Sequence, residues 1–515
     1  MITKIFTTQQ IRSLDADTIA NEPITSIDLM ERASVAFVKW FTSHFDSEHS
    51  VRIFVGLGNN GGDGLAIARL LAEEKYKVEV YVIWYNDSTT KDFEVNYGRL
   101  PQSVIKKDIR SINEIRPNDI PNPEELELSP NETILIDALL GSGLSRIPEG
   151  LLAEVIEYIN QSNNKIISVD IASGLFADKP TEHSIVVNPD YTIFFQIPKL
   201  AFLLPENFKY TGEWHLVDIG LSDKFILEEK TNKYFVRREF VKSIYKKREK
   251  FSHKGTYGRV LLVAGSFGKM GAAVLAANGC LRSGVGLLTL QVPSCGVEIL
   301  QTSVPEAMVM TGKSKKTIEP VDWKTILPDA IGIGPGIGKD KKTLKTFTRI
   351  LQTYKNPMVI DADAINLLSE NPKLLDLVPA NSILTPHFKE FERLVGKVEN
   401  DFHRIEKLIS FSKKQNVFTI LKGMHTAIAT PEGDVYFNST GNPGMATGGS
   451  GDVLTGIITS LLAQGYSSFE SSILGVYLHG LAGDLAAKEI GEESLIASDI
   501  VSYLGKAFLS LQNES

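Results

Sequence analysis

Along residues 51–220, short runs of β-branched and apolar residues alternate with segments whose apolar positions recur at helical spacing. VRIFVGLG is followed by a helical pattern through LAIARLLAEEK and by VEVYVI, and then come TILIDALLG, KIISVDIASG and YTIFFQI. That alternation predicts βαβ units stacked into a parallel sheet, a doubly wound α/β layer. From residue 258 the rhythm resumes in RVLLVAGS, LLTLQV, AIGIGPGIG, PMVIDADAINLL, SILTPHFKEFERL and VFTILKGMHTAIA, and it predicts a second α/β layer structure. Between the two series, LSDKFILEEKTNKYFVRREFVKSIYKKREK is charged throughout. It reads as a domain boundary and a solvated connecting helix rather than as a binding patch. No short-period repeat, heptad or low-complexity tract points to a solenoid or a fibre.

Composition narrows the function classes. A chain of 515 residues exceeds what one hydrophobic core serves, and 43% hydrophobic with 23% charged residues is the balance of a globular protein. The formal net charge of -8 argues against a nucleic-acid surface and leaves a small molecule as the expected partner. Cys280 and Cys295 match neither a zinc pair nor a redox CxxC, so they read as buried spectators in a reducing compartment. The N-terminus MITKIFTTQQIRSLDAD has no signal-peptide core, and YTIFFQIPKLAFLLP is broken by Gln196, Pro198 and Lys199. A cytoplasmic protein with no membrane contact is expected.

Chemistry gathers at predicted strand ends. VRIFV runs into GLGNNGGDGLAIARLL, where Gly56, Gly58 and Gly61 fit the G-x-G-x-x-G spacing of a dinucleotide loop. Tight strand-to-helix packing produces similar loops, but Asn59, Asn60 and Asp63 add side-chain polarity that bare packing does not need. Two further loops carry Asp137, in LIDALLGSGLSR, and Asp170 with Ser173, in SVDIASG. Each follows a predicted strand, so each should open on the crevice beyond the sheet's carboxyl edge. There the amides of Gly141, Ser142, Gly143 and Leu144 offer a phosphate cradle, and Asn60, Asp137 and Ser173 offer hard oxygens to a cation. Asp170 is left for proton transfer.

In the second half, TGGSGDVLTG at residues 447–456 opens a predicted helix. Asp452 serves there either as an ordinary cap or as a base beside bare amides. In the second reading, Gly448, Gly449, Ser450 and Gly451 stabilise charge on a transferring phosphoryl group while Asp452 accepts a hydroxyl proton. Lys422, Gly423, Met424, His425 and Thr426 follow a predicted strand and present a cation and polar groups to a nucleotide. No GxxxxGK[ST] occurs, and GSFGKMG at Gly265 has the wrong spacing for one. Asp361 and Asp363 in VIDADAINLL read as alternate strand-end residues on opposite faces, and so not as a catalytic pair.

The ordered motifs GNNGGDG, DALLGSGLSR and VDIASG resemble the epimerase domain of the NAD(P)H-hydrate repair enzymes across residues 1–222. From residue 252, SHKGTYGRVLLVAGS, GIGPGIG, TPHFKEFERL and the run from ILKGMHT to GGSGDVLTG resemble the ADP-dependent dehydratase of the same family. The resemblance implies a Rossmann-like doubly wound domain at 1–222, a linker at 223–250 and a ribokinase-like α/β domain at 251–515. It implies that Asn59, Asn60, Gly61, Gly62 and Asp63, with Gly141, Ser142, Gly143, Leu144, Ser145, Arg146 and Ile147, contact the hydrated dinucleotide, with Asp170 beside the reacting ring. A potassium ion on Asn60, Asp137 and Ser173 is implied as well. In the second domain, Ala273, Gly336, His387 and Asp452 approach the hydrate, while Lys422 to Thr426 and Gly448 to Gly451 hold ADP or ATP with magnesium.

The chemistry is coherent. Hydration at C6 of the nicotinamide ring yields R and S epimers of NADHX or NADPHX, of which a shaped pocket accepts one. An epimerase lets the whole pool drain, and phosphorylation turns the C6 hydroxyl into a leaving group that the ring nitrogen expels. A homo-oligomer is expected. The alternatives are a small-molecule kinase of the hydroxymethylpyrimidine or sugar type fused to a dinucleotide-binding module, and a first half that binds without catalysing.

Overall fold

The computed structural model describes residues 2–115, 133–323 and 325–512. The chain divides into two compact units, residues 4–231 and residues 232–515 with the first three residues.

In the first unit, strands β1 (Ser50–Val55), β2 (Lys77–Ile83), β3 (Ile105–Ile109), β4 (Thr133–Ala138), β5 (Lys165–Val169), β6 (Tyr191–Phe195) and β7 (Glu213–Val217) form one sheet in the order β3-β2-β1-β4-β5-β6-β7. Every pairing is parallel. Helices cover both faces, so the central strands are largely apolar: Ile53, Phe54, Val55, Ile136 and Ile167 are all buried. The chain starts in the middle of the sheet and winds outward both ways, which makes the carboxyl ends of β1 and β4 the topological switch point. At the end of β1 the predicted glycine loop is shorter than expected, because the helix Asn59–Glu73 already begins inside GNNGGDG, with Gly58 as its cap. Glycine is required there by close approach: a Cβ on Gly61 would lie 1.8 Å from the Gly56 carbonyl oxygen, and one on Gly56 would lie 1.9 Å from that of Leu139.

The stretch expected to be a connecting helix is instead a helix Asp223–Glu228, a strand β8 (Lys233–Val236) and a helix Arg238–Ile244. Strand β8 pairs in parallel with a strand about two hundred residues later, and its short apolar run YFV is masked by charged neighbours. The strands that follow β8 along the chain are β9 (Arg259–Val263), β10 (Leu287–Val292), β11 (Met308–Thr311), β12 (Ala330–Ile333), β13 (Val359–Ile360), β14 (Ile383–Leu384), β15 (Phe418–Leu421), β16 (Ala427–Ala429) and β17 (Val435–Asn438). They lie in the order β8-β17-β16-β15-β14-β13-β12-β9-β10-β11. Pairings from β15 to β11 are parallel, and β16 runs antiparallel to both its neighbours.

Helix Ser450–Ala463 is buried along nearly its whole length, which is why VLTGIITSLLA shows no polar stripe. It crosses helix Met270–Arg282 so closely that a Cβ on Gly456 would lie 2.0 Å from the Ala276 carbonyl oxygen. That crossing fixes where the helix start sits.

Candidate active sites

A cavity of about 860 Å³ lies at the switch point of the first unit, within the size range of cofactor sites. Asn59, Asn60 and Asp63 line it from the end of β1, Gly141 to Ile147 from the end of β4, and Asp170 from the end of β5. Gly61 and Gly62 do not reach its wall. They are buried in the first turn of the helix, where a Cβ on Gly62 would press on the Met30 side chain at 2.9 Å.

Asp170 adopts φ +63°, a left-handed conformation that costs a non-glycine residue roughly 1 kcal/mol or more. Its amide donates to the Ile193 carbonyl at 2.8 Å, and its Oδ1 is 2.7 Å from Nζ of Lys199, a lysine only 2% exposed. Lysine buried to this degree needs a counter-charge, and Asp170 is that charge. Asp15, from helix Thr8–Asn21, lines the same cavity, and burial followed by the charge of Asp170 pushes its carboxyl up to about 6, with Lys199 opposing. Burial also pushes Asp63 well above the usual carboxylate range, with Asp170 and Asp15 adding to the effect.

Asp137 is fully buried beneath this cavity floor. Ser173 donates to it through Oγ (2.5 Å) and N (2.8 Å), and Ser168 Oγ donates at 2.8 Å. Burial raises its pKa against those hydrogen bonds. Among the described residues no Lys, Arg or His pairs with it. A buried carboxylate without a counter-ion is costly, and a bound monovalent cation would offset that cost. The Asn60 amide is buried with Nδ2 unpartnered, and a half-turn of that amide presents its oxygen instead. Among the described residues, no cluster of three or more His, Cys, Asp or Glu side chains forms a transition-metal site.

In the second unit Asp452 is not the helix cap. Gly449, at φ +94°, holds that position without a side-chain bond, and Asp452 sits in the first turn. Burial first, then the charge of Asp361, pushes its carboxyl up to about 7, with Lys422 opposing and Asp363 adding. Lys422 Nζ is 2.9 Å from Asp361 Oδ1, and Thr455 Oγ1 donates to Asp361 Oδ2 at 2.7 Å. A Cβ on Gly451 would lie 3.3 Å from Lys422 Nζ, so glycine keeps the ammonium open at the helix start, whereas a Cβ on Gly448 would meet nothing within 4 Å. Ser450 accepts through its carbonyl from His479 Nε2 (2.9 Å), and burial brings that imidazole down to about 4, so it stays neutral.

Lys422 to Thr426 form the turn between β15 and β16. Gly423 and Met424 are exposed, Thr426 Oγ1 donates to the Gly423 carbonyl, and His425 Nδ1 meets the Asn438 carbonyl at 3.1 Å. His387, at the end of β14, bridges to Lys422 and caps the next helix, its Nδ1 accepting from Lys389 N and Glu390 N. Gly336, at φ +64°, accepts from Ser266 Oγ at 2.7 Å, and Ala273 is fully buried in the helix beside that loop.

Known proteins were compared with this chain. The family described as YjeF-related protein N-terminus matches residues 26–201, and the family described as NAD(P)H-hydrate dehydratase matches residues 260–506. A bifunctional NAD(P)H-hydrate repair enzyme of Moorella thermoacetica is 34% identical over 99% of this chain and 97% of its own length. The chain belongs to the bifunctional NAD(P)H-hydrate repair enzymes. The repair enzyme of Thermofilum pendens is 32% identical over 99% of this chain and 97% of its own. An ADP/ATP-dependent NAD(P)H-hydrate dehydratase from Bacillus subtilis, crystallised with ATP and magnesium, is 32% identical, with a TM-score of 0.48, over 54% of this chain and 98% of its own.

Within this repair-enzyme chain the structure also corrects the reading of Asp361 and Asp363. Strand β13 ends at Ile360, and Ala362, at φ +47°, turns the chain straight into helix Ala362–Glu370. Strand alternation therefore does not separate Asp361 from Asp363, and both charges act on Asp452. Three residues escaped the sequence reading. Lys199 was noted only as a break in an apolar run, yet a lone lysine inside FFQIPKLAFLLP is itself a signal that it has a buried partner. Arg12 and Asp15 lie before the first predicted strand, in a helix that no motif marks.

Proposed function

We propose that this chain returns both epimers of hydrated NADH or NADPH to the reduced coenzyme. The first unit interconverts R and S hydrate, and the second dehydrates the S form with ADP or ATP as phosphoryl donor. The observation that carries the reading is Asp452: a carboxyl brought up to about 7 at a helix start opened by Gly448, Gly449 and Gly451, with the Lys422 ammonium beside it. A base of that strength takes the C6 hydroxyl proton as phosphorus is transferred, and Lys422 with the amides of the helix start at Gly449 to Gly451 stabilises the charge that develops. Magnesium accompanies the nucleotide phosphates. Gly336 and His387 hold the hydrate, Ala273 backs the Gly336 loop, and Gly423 to Thr426 hold the nucleotide.

In the first unit, Asn59, Asn60, Asp63 and the Gly141–Ile147 loop bind the dinucleotide, with Asp170 acting on the ring. Potassium fits Asp137, Ser173 and Asn60, and would supply a fixed positive charge under the loops that hold the substrate. The assay is incubation of mixed hydrate epimers with ADP or ATP in turn, following reduced-coenzyme absorbance, phosphate release and the epimer ratio. Recovery of NADH with free phosphate is the expected result. A stable phosphorylated product would instead favour a small-molecule kinase, and dehydration at full rate without a phosphoryl donor would end the proposal.

A further inference from the structure

The cavity of the first unit has one wall that belongs to none of its glycine loops. Helix Thr8–Asn21 presents Ile11, Arg12, Asp15 and Ile19 to it. Their spacing puts them on one helical face, and the adjoining stripe carries Leu14 and Thr18 into the core. The helix precedes residue 26, where the family match begins. Among the described residues no donor hydrogen-bonds the Asp15 carboxylate and no cation pairs with it. A carboxyl left unpartnered in the wall of a cavity is not explained by folding, since burial without partners costs rather than stabilises.

We propose that Asp15 is a catalytic acid of the epimerase site, exchanging protons with the substrate in concert with Asp170 as the hydrated ring opens and recloses. This rests on the epimerase reading of the same cavity. Asp15, Asp63 and Asp170 face it together, and the ammonium of Lys199 compensates one charge by pairing with Asp170 at 2.7 Å. Arg12 and Arg146 also line the cavity, and among the described residues neither pairs with Asp15. With Lys199 engaged, the paired carboxylate is the proton acceptor and the uncompensated one the proton carrier. Burial raises both Asp63 and Asp15, and the Asp15 value near 6 lets it both give and retake a proton close to neutrality.

The hydrated ring is a hemiaminal at C6. Asp170 takes the hydroxyl proton, and the O–H electron pair becomes the second bond of a C6 carbonyl. The C6–N1 bond breaks with its pair going to N1, which takes the Asp15 proton. Rotation about C5–C6 exposes the other carbonyl face. N1 then attacks that face, returning its proton to Asp15, and the oxygen recovers its proton from Asp170. Atoms and electrons balance with no co-reactant.

The test uses the full chain with Asp15→Asn and Asp15→Glu, measuring epimer interconversion by chromatography, with dehydration of the S hydrate as the internal control. Asp15→Asn is expected to lower kcat for interconversion by roughly a hundredfold or more while changing KM by no more than about threefold. The wild-type fall in kcat/KM as pH rises past about 6 should vanish with it. Asp15→Glu, which keeps the proton, is expected to recover at least about a tenth of the rate. Interconversion by Asp15→Asn within about threefold of wild type would overturn the proposal, as would equal loss in both variants, which marks a structural role. Absence of interconversion in the wild-type chain would instead overturn the epimerase reading, and this inference with it.

Discussion

Asp452 and Lys199 show how single side chains set the chemistry. The folded value of Asp452, about 7, lies above its ordinary value of 3.8, so between those pH values the native state keeps a proton that the unfolded chain has released. Ionising it for catalysis therefore weakens the fold: its stabilising contribution is complete below about pH 4 and is lost as pH rises through about 7. Dehydration should rise with pH through about 7 and then level, as a base requires. Asp452→Asn is expected to abolish dehydration, leave epimerisation intact, and raise stability at pH 8 by roughly 1–3 kcal/mol after solvent screening, read by denaturant titration. Lys199→Met should act in the opposite direction. It strands the Asp170 charge and is expected to cost about 3–5 kcal/mol while interconversion is lost, measured by the same titration and by the epimer ratio.

At the scale of elements, the sites depend on where helices begin. Helix Ser450–Ala463 starts beside Lys422 because Gly449 turns left-handed and because Gly456 and Gly279 let two helices cross at backbone distance. Gly451→Ala separates helix stability from function. The residue is helical and its added Cβ meets side-chain ends alone, the Lys422 ammonium at 3.3 Å and Asp361 Oδ2 at 3.9 Å, so stability should hold or rise by up to about 1 kcal/mol. Dehydration should nevertheless fall at least about tenfold, checked by steady-state kinetics in ADP, because the methyl group occupies the space that a phosphate oxygen needs beside that ammonium. The sequence made most strands of both sheets legible through their apolar runs, and the glycine loops through their polarity. It passed over β3, β7, β11 and β17, it hid strand β8, whose few apolar positions sit among charges, and it misplaced Asp363, because nothing local announces that a two-residue strand ends at Ile360.

For the whole molecule, the two activities separate by perturbation. Asp170→Asn in the full chain should leave about half of an equimolar epimer mixture unrepaired, scored by the residual hydrate after exhaustive incubation. Exchanging potassium for tetramethylammonium should slow interconversion while dehydration of the S form proceeds, since Asp137 then stays buried without a counter-ion. Among the described residues no helix is long and apolar enough to cross a membrane.

The sequence by itself determined the two α/β layers, the order of their strands along the chain and the loops that carry Asn60, Asp137, Asp170, Lys422 and Asp452, because periodicity and loop chemistry are local properties. Only the tertiary structure decided which charges stand together. Asp15 lines the same cavity as Asp170 and feels its charge and that of Lys199 from a helix more than a hundred residues away, and Asp361 reaches Lys422 after one strand and Thr455 in a helix. Proton affinity depends on burial and on the distance to other charges, and neither is written in the order of residues.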